Sequence, residues 1–400
     1  MSTVELSALA NSVAPSATLA AAAKARELRG QGVKVYDFSV GEPDFNTPDH
    51  ICEAAIQAMK EGHTGYTPAP GTLELRQAIS RWYKSRYDID YAPDQIIVSN
   101  GAKHSIHNAL SVLCGPGDEV LIPSPYWVSY SELVKMTGAT YKLIPTTMES
   151  NFTMTPEQLK DAISPNSKVI MLNSPSNPTG AVYRRDQLEA IADIVMEAGL
   201  IVLSDEIYEQ LIYVDIEPTC FATLRPGLEE RTLTISGASK SYAMTGWRIG
   251  WTLGPKSVIK AMGSIQSQQT GCPGSIAQHA VITALEGDQS CVQKMKTEFA
   301  KRRTLVHDRL NKMPGINCPF PQGAFYAFFD MSAWVGKQLG GKTIDNSTTF
   351  CETALESIHV NMVTGEAFGV EGFVRLSYAA SLEEINEGLD RLESWLKEAE

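Results

Sequence analysis

From about residue 95 the chain alternates short apolar runs with longer stretches of helical periodicity. Runs at 96–98, 120–122, 169–172, 200–203 and 233–235 are apolar at successive positions, so strands formed there need cover on both faces. That pattern predicts a mostly parallel sheet with helices on either side. Ahead of it, Pro15, Ser16 and Thr18 give a helix-start signal, and the alanine-rich run to Arg29 continues the helix. Residues 33–40 alternate loosely toward a turn-rich loop at 41–45. After about residue 290 the pattern changes: 294–310 reads as a long polar helix, and 324–329 and 373–377 read as strands. The chain ends in an amphipathic helix. Ser381 and Glu384 form its capping box, and Leu382, Ile385, Leu389, Leu392 and Leu396 fall on one stripe. The expectation is an α/β protein with a large domain at 46–290. A smaller α+β domain, with an N-terminal arm, is assembled from 1–45 and 291–400.

Composition narrows the class of protein. The chain has 400 residues, 43% hydrophobic and 20% charged, as a soluble protein of two lobes would. A net charge of -12 argues against nucleic acid and against an acidic membrane surface. No apolar run approaches the ~18 residues of a membrane span, and no secretory signal is expected. Seven cysteines without a C-x-x-C pair fit reduced thiols in a cytoplasmic enzyme. His104 and His107 stand at helical spacing without a third ligand, so they read as a solvated helix face, and no metal is expected.

The unusual residues cluster where the strands end, the rim at which open parallel sheets bind ligands. After 96–98 come Gly101, Ala102 and Lys103, small residues opening a helix whose first N–H groups favour an anion. After 120–122 comes Trp127, an aromatic able to stack on a planar ring. Asn177 follows 169–172 in a rigid loop of prolines and asparagines. Asp205 and Tyr208 follow 200–203, where a buried acid needs a partner. After 233–235 comes the stretch SGASKSYAMTGWRIG, which carries Lys240 among small residues and then Arg248. A desolvated lysine is a nucleophilic amine suited to Schiff-base chemistry, and an arginine holds an anion. Each loop alone also fits ordinary turn chemistry, a core tryptophan, a helix cap or a surface lysine. Asn177, Asp205 and Lys240 are each about one strand–helix–strand unit of ~30 residues apart, so their side chains converge at one rim. Together the loops point to an aldehyde that carries a phosphate.

The motifs at 40–45 (VGEPDF), 65–67 (GYT), 125–128 (PYWV), 173–180 (NSPSNPTG), 204–208 (SDEIY), 239–250, 323–326 (GAFY) and 375–378 (RLSY) span nearly the whole chain. With them it resembles the fold-type I, pyridoxal-phosphate-dependent class I aminotransferases, in the bacterial aspartate/prephenate branch. That resemblance implies a mostly parallel central sheet in a large, pyridoxal-phosphate-binding domain. It implies that Lys240 forms the Schiff base and then shuttles the proton, that Asp205 binds the pyridine nitrogen, and that Tyr208 and Asn177 bind the phenolic oxygen. Trp127 stacks on the ring. Arg248, Ser239 and the Gly101–Ala102–Lys103 turn lie at the phosphate, and Tyr66 reaches the phosphate of a neighbouring subunit in a homodimer with shared active sites. Arg375 grips the substrate α-carboxylate, helped by Asn177 and the Gly41 N–H, with Trp127 also beside the substrate. Many members carry a phosphate-binding serine where this chain has Gly237, and Ser236 and Ser239 are both nearby.

The reaction so implied moves an amino group from an amino acid to a 2-oxo acid. Aspartate or glutamate with 2-oxoglutarate or oxaloacetate leads, and Lys103 serves either the phosphate or the distal carboxylate, with the second favoured. Ala14 offers the N-terminal arm no charge or hydroxyl, although Ser16 and Thr18 are close. Prephenate or an aromatic amino acid is the runner-up, and a lyase or synthase on the same scaffold is a more distant rival.

Overall fold

The computed structural model describes residues 4–398. Its centre is a seven-stranded sheet: β1 (Ile96–Ser99), β2 (Glu119–Ser124), β3 (Thr140–Pro145), β4 (Ser167–Asn173), β5 (Ile201–Asp205), β6 (Thr232–Gly237) and β7 (Gly250–Leu253). The order across the sheet is β1-β7-β6-β5-β4-β2-β3. Strands β2 to β6 pair in parallel, while β7 runs antiparallel to both β6 and β1. The sheet is therefore mostly parallel, and the carboxyl ends of β1, β2, β4, β5 and β6 share one rim.

The double cover predicted from the apolar runs is explicit along β4. Val169 and Met171 pack with Ile106, Leu110, Val134, Ile259 and Met262 on one face. Ile170 and Leu172 pack with Leu159, Leu188, Ile191 and Val195 on the other. Each such fully buried side chain stabilises the fold by about 1.5–3 kcal/mol. Two strands escaped the apolar pattern. Strand β3 is an edge strand with mostly solvent-accessible positions, and β7 is short and opens on a glycine.

A second, antiparallel sheet comprises β8 (Tyr326–Asp330), β9 (Val363–Thr364) and β10 (Phe373–Ser377), in the order β9-β10-β8. Beside it Tyr36–Asp37, the only part of 33–40 that forms a strand, pairs in parallel with Val360–Asn361. Both ends of the chain thus build this unit. Strand β8 starts at Tyr326 rather than at 324 because Ala324 adopts a left-handed φ of 56°. Helix α1 (Ala17–Gly30) comes from the N-terminal part, and its Ala25 is buried against Val35 and Leu355. The terminal helix spans Leu382–Lys397, and Ser381 and Glu384 exchange the two capping-box hydrogen bonds at 3.1 and 3.2 Å. Ile385, Leu389, Leu392 and Leu396 are buried as expected, but Leu382, in the first turn, is 39% exposed. No described helix is long and apolar enough to cross a membrane.

Candidate active site

A cavity of about 480 Å³ opens at the rim, walled by loops from the central sheet, by α1 and by β8 and β10 of the second sheet. Strand β6 ends at Gly237 and turns into a short helix, Ala238–Ser241, that aims Lys240 into the cavity. The Lys240 Nζ donates to the Gly41 carbonyl. Burial lowers its pKa to about 8; Glu42 opposes that shift, whereas Arg248 and Arg375 reinforce it. The amine is therefore available as a nucleophile much nearer neutrality than an exposed lysine.

The turn after β1 has the shape and the free N–H groups to cradle an anion. Gly101 has φ of 87° and is the N-cap of α2 (Ala102–Leu113), whose first N–H groups lack intrahelical partners. A Cβ on Gly101 would meet Arg248 Nη2 at 2.3 Å, and one on Gly250 would meet the Ala102 nitrogen at 2.3 Å. Both glycines let the arginine and the helix start close on one another. Arg248 itself donates to the carbonyls of Thr245, at 2.7 Å, and Asn100, at 3.3 Å. Gly237 leaves no room for a serine: a Cβ there would lie 2.9 Å from the Ile249 carbonyl and 3.0 Å from the Gly250 Cα. Of the two neighbouring serines, Ser239 lines the cavity, while the Ser236 hydroxyl is turned to the Glu206 carbonyl.

On the far side Asp205 is buried at the end of β5. It accepts from the Tyr130 hydroxyl at 2.6 Å and from the Ile207 N–H at 3.3 Å. Burial outweighs these donors and Lys240, and it raises the carboxyl pKa to about 6. A cationic N–H in the cavity would reverse that shift. The Tyr208 hydroxyl sits 2.7 Å from that of Tyr326. Burial, with Tyr326 beside it, pushes the Tyr208 phenol well up. Arg375 is almost wholly buried and packs against the rings of Tyr326 and Phe368. It donates from Nη1 to Asn177 Oδ1 at 3.0 Å and from Nη2 to the Ser39 carbonyl, and its Nε has no partner. Because Asn177 Oδ1 is taken by Arg375, the asparagine NH2 is left to face a ligand. The Trp127 ring is fixed edge-on by Tyr130 at 5.5 Å, with the Lys103 ammonium 5.0 Å from its centroid.

Lys240, Asp205, Tyr208, Asn177, Arg248, Arg375, Trp127, Lys103, Ala102, Ser239 and Gly41 all line this cavity. Gly101 stands just behind it, shaping the cradle. Tyr66 does not line it and is fully exposed. Sequence reasoning missed Tyr130, Asn173 and Tyr326. Asn173 fixes the Asn177 backbone at 2.9 Å and the Asp205 carbonyl at 2.9 Å. The Tyr326 hydroxyl lies where a Gly41 side chain would otherwise be, 2.8 Å from the Cβ position. The GAFY motif held the only sequence signal for Tyr326. His104 and His107 also differ from expectation: they are partly buried and joined through Gln269. Among the described residues no group of three or more His, Cys, Asp or Glu side chains could hold a metal.

The donor set fits pyridoxal phosphate. A cradle kept open by glycines suits its phosphate, a low-pKa amine its aldehyde and a buried acid its ring nitrogen. Fold and site define a pyridoxal-phosphate-dependent enzyme with the class I aminotransferase fold. The chain belongs to the class I and II aminotransferase family, whose model matches residues 33–392. It is 44% identical to the aspartate aminotransferase of Geobacillus stearothermophilus, over 96% of this chain and 97% of that one. It is also 44% identical to the aspartate/prephenate aminotransferase of Cereibacter sphaeroides, over 96% of each. The aspartate aminotransferase structure from Rhizobium meliloti superposes with a TM-score of 0.95 at 40% identity, covering 99% of both chains. The Thermus thermophilus aspartate aminotransferase with maleate gives 0.92 at 40% identity, over 98% of this chain and 100% of that one. The protein is accordingly an aminotransferase that uses pyridoxal phosphate.

Proposed function

We propose that the protein transaminates dicarboxylic substrates, with aspartate or glutamate as donor and oxaloacetate or 2-oxoglutarate as acceptor. The observation that carries this reading is Lys103. Its side chain is exposed at the mouth of the cavity that it lines and has no ion-pair partner among the described residues; partial desolvation and the nearby Arg248 push its pKa down. Ser16 and Thr18, whose hydroxyls are 2.9 Å apart, line the same cavity. A distal carboxylate would complete that corner, while Arg375 holds the α-carboxylate through its planar fork. Relatives named for aspartate, and a solved relative with the dicarboxylate maleate, support the same choice. Ala14 contributes a backbone tie: its N–H donates to Glu132 at 2.8 Å and anchors the N-terminal arm.

When bound, pyridoxal phosphate supplies the electron sink for charge developing at the substrate Cα. Asp205 holds its ring nitrogen, Tyr208 and Asn177 its phenolic oxygen, and Trp127 its ring face. Arg248, Ser239 and the backbone N–H groups of the turn at Gly101, Ala102 and Lys103 would hold its phosphate, which leaves the Lys103 side chain for the distal carboxylate. Lys240 Nζ would take the proton from the substrate Cα as general base and deliver it to the cofactor's C4′ as general acid. Gly41 and Arg375 keep the carboxylate fixed meanwhile. The lowered pKa of Lys240 sets a pH dependence: attachment of pyridoxal phosphate to the apoprotein speeds up as pH rises through about 8, where the amine loses its proton, and then levels off. A rise that continues to the 10.5 of an ordinary lysine would contradict this role.

The large, cofactor-binding domain is assigned to 46–290 and the small domain to 1–45 with 291–400. The exposed Tyr66, placed away from its own cavity, supports a homodimer in which it reaches the partner's phosphate. Seven unpaired cysteines support a reducing, cytoplasmic setting.

Adding amino acids one at a time to the holoenzyme, and following conversion of the cofactor to its amine form, tests the substrate assignment. Aspartate and glutamate should react fastest, and Lys103→Ala should slow both by about tenfold or more while sparing phenylalanine, as loss of one charged contact predicts. Equal rates for phenylalanine and aspartate in the parent would sink the dicarboxylate reading. Prephenate is the second reading, since it too is a 2-oxo acid with a distal carboxylate. A lyase would fail to return the amine to 2-oxoglutarate.

A further inference from the structure

Asn100 links β1 to the anion cradle, and side chains hold both of its backbone polar groups. Its N–H donates to His104 Nδ1 at 3.2 Å, and its carbonyl accepts from Arg248 Nη2 at 3.3 Å. With Gly101 as N-cap, His104 is the third residue of α2. From that position a glutamate or glutamine ordinarily reaches back to the backbone at the helix start. Those side chains remain acceptors throughout the neutral range. An imidazole accepts at Nδ1 only while that nitrogen carries no proton.

The rest of the hydrogen-bond chain fixes the tautomer. His104 Nε2 lies 3.1 Å from Gln269 Oε1, at the end of α3 (Lys256–Gln269). Gln269 Nε2 lies 3.1 Å from His107 Nε2, and His107 Nδ1 is buried without a partner. In this arrangement His104 donates from Nε2 and accepts at Nδ1. Turning the Gln269 amide around would make His104 Nε2 an acceptor. The proton would then move to Nδ1, against the Asn100 N–H, so the network excludes that alternative. Burial, with His104 close by, lowers the His107 pKa.

Few charges bear on His104. Lys103 and His107 share its helix, and Arg248 lies across Asn100. On α3, Lys256 and Lys260 stand at least nine residues from Gln269, about 13 Å along the axis. His104 makes no ion pair among the described residues.

We propose that His104, oriented by Gln269, is a positioning residue that holds the Asn100 peptide in the phosphate-gripping conformation only while its imidazole is neutral. The proposal rests on the reading of the cradle as the phosphate site. Protonation places an Nδ1–H against the Asn100 N–H. The peptide turns away, and its carbonyl releases Arg248. The added charge would by itself attract phosphate, so the two effects have opposite signs and pH separates them.

The test compares the parent holoenzyme with His104→Gln, which keeps an acceptor that does not titrate. Dissociation constants for pyridoxal phosphate are measured at about pH 8 and about pH 5.5, on either side of the ordinary histidine range. The two proteins should match at the higher pH. At the lower pH the parent should weaken about fivefold more than the variant, the worth of one hydrogen bond. In the parent alone, hydrogen-exchange protection of the Asn100 amide should be lower at the lower pH than at the higher. Parallel profiles for parent and variant, tighter binding by the parent at low pH, or unchanged Asn100 protection would each overturn the proposal. Unchanged cofactor affinity in Arg248→Ala would instead sink the phosphate reading of the cradle, independently of His104.

Discussion

Lys240→Ala should lose turnover with aspartate and 2-oxoglutarate by roughly 10⁴-fold or more, the scale of a group that both bonds covalently and moves a proton. The cofactor should still bind through the cradle and Asp205, but without the absorption band of the lysine-linked form. Folding is not at risk. At pH 7 the Lys240 amine is protonated in both the folded and the unfolded chain. Burying that charge lowers its pKa from 10.5 to about 8, a cost to the apoprotein of about 3 kcal/mol. The sign follows from proton counts. Between pH 8 and 10.5 the unfolded chain binds more protons than the folded one, so apoprotein stability rises with pH through that window. Alanine removes the penalty, so the apo variant should melt no lower than its parent at pH 7. A variant that turns over normally would refute the Schiff-base assignment; one that melts far lower would show that lost activity came from lost structure.

Arg375→Ala should reduce kcat/KM for every amino acid and 2-oxo acid by about 10²–10³-fold, the range for removing one partner of a buried charge-assisted pair. The loss should be common to aspartate, glutamate and phenylalanine because the α-carboxylate is common to them. Steady-state kinetics with the three donors decides it, and a defect confined to one donor would place Arg375 in the side-chain pocket instead. Lysine is expected to rescue little. It cannot occupy the planar site between Tyr326 and Phe368 while also donating to Asn177 and Ser39.

The sequence made the rim legible for a physical reason. A parallel strand buried on both faces appears as an uninterrupted apolar run, and the residue where the run stops lies at the ligand-binding edge. Asp205 and Asn177 were found that way, as was the loop that carries Lys240. Side chains that arrive from elsewhere left no such mark. Tyr130 reaches Asp205 from the helix Ser129–Lys135, and Tyr326 reaches Tyr208 from the other sheet. Tyr326 stands in an apolar run where only the GAFY motif marks it, and Tyr130, between Ser129 and Ser131, has nothing local to set it apart. Strand β3 was invisible because an edge strand covered on one face need not be apolar, and Leu382 was misread because periodicity cannot tell a first turn that projects past the core. The open choice between Ser236 and Ser239 needed coordinates, since Ser236 lies in strand β6 and turns its hydroxyl to Glu206, whereas Ser239 lies in the short helix that follows and lines the cavity.

The antiparallel strand β7 has a consequence for how the two ends of the cofactor are measured. Gly237 and Gly250 face each other across the β6–β7 pair, so residues 238–249 form a loop closed at its base. Lys240 leaves that loop near its start and Arg248 near its end, and both side chains enter the same cavity. With Lys240 at the aldehyde and Arg248 at the phosphate, as proposed, one continuous segment would gauge the span between the two, whatever the rest of the chain does. Its closure is a short-range event, which folding favours over distant pairings, whereas Asn177 and Arg375 must be brought in from other parts of the sequence. Lengthening this loop by a single residue would alter the gauge itself, while the surrounding sheets retained their packing.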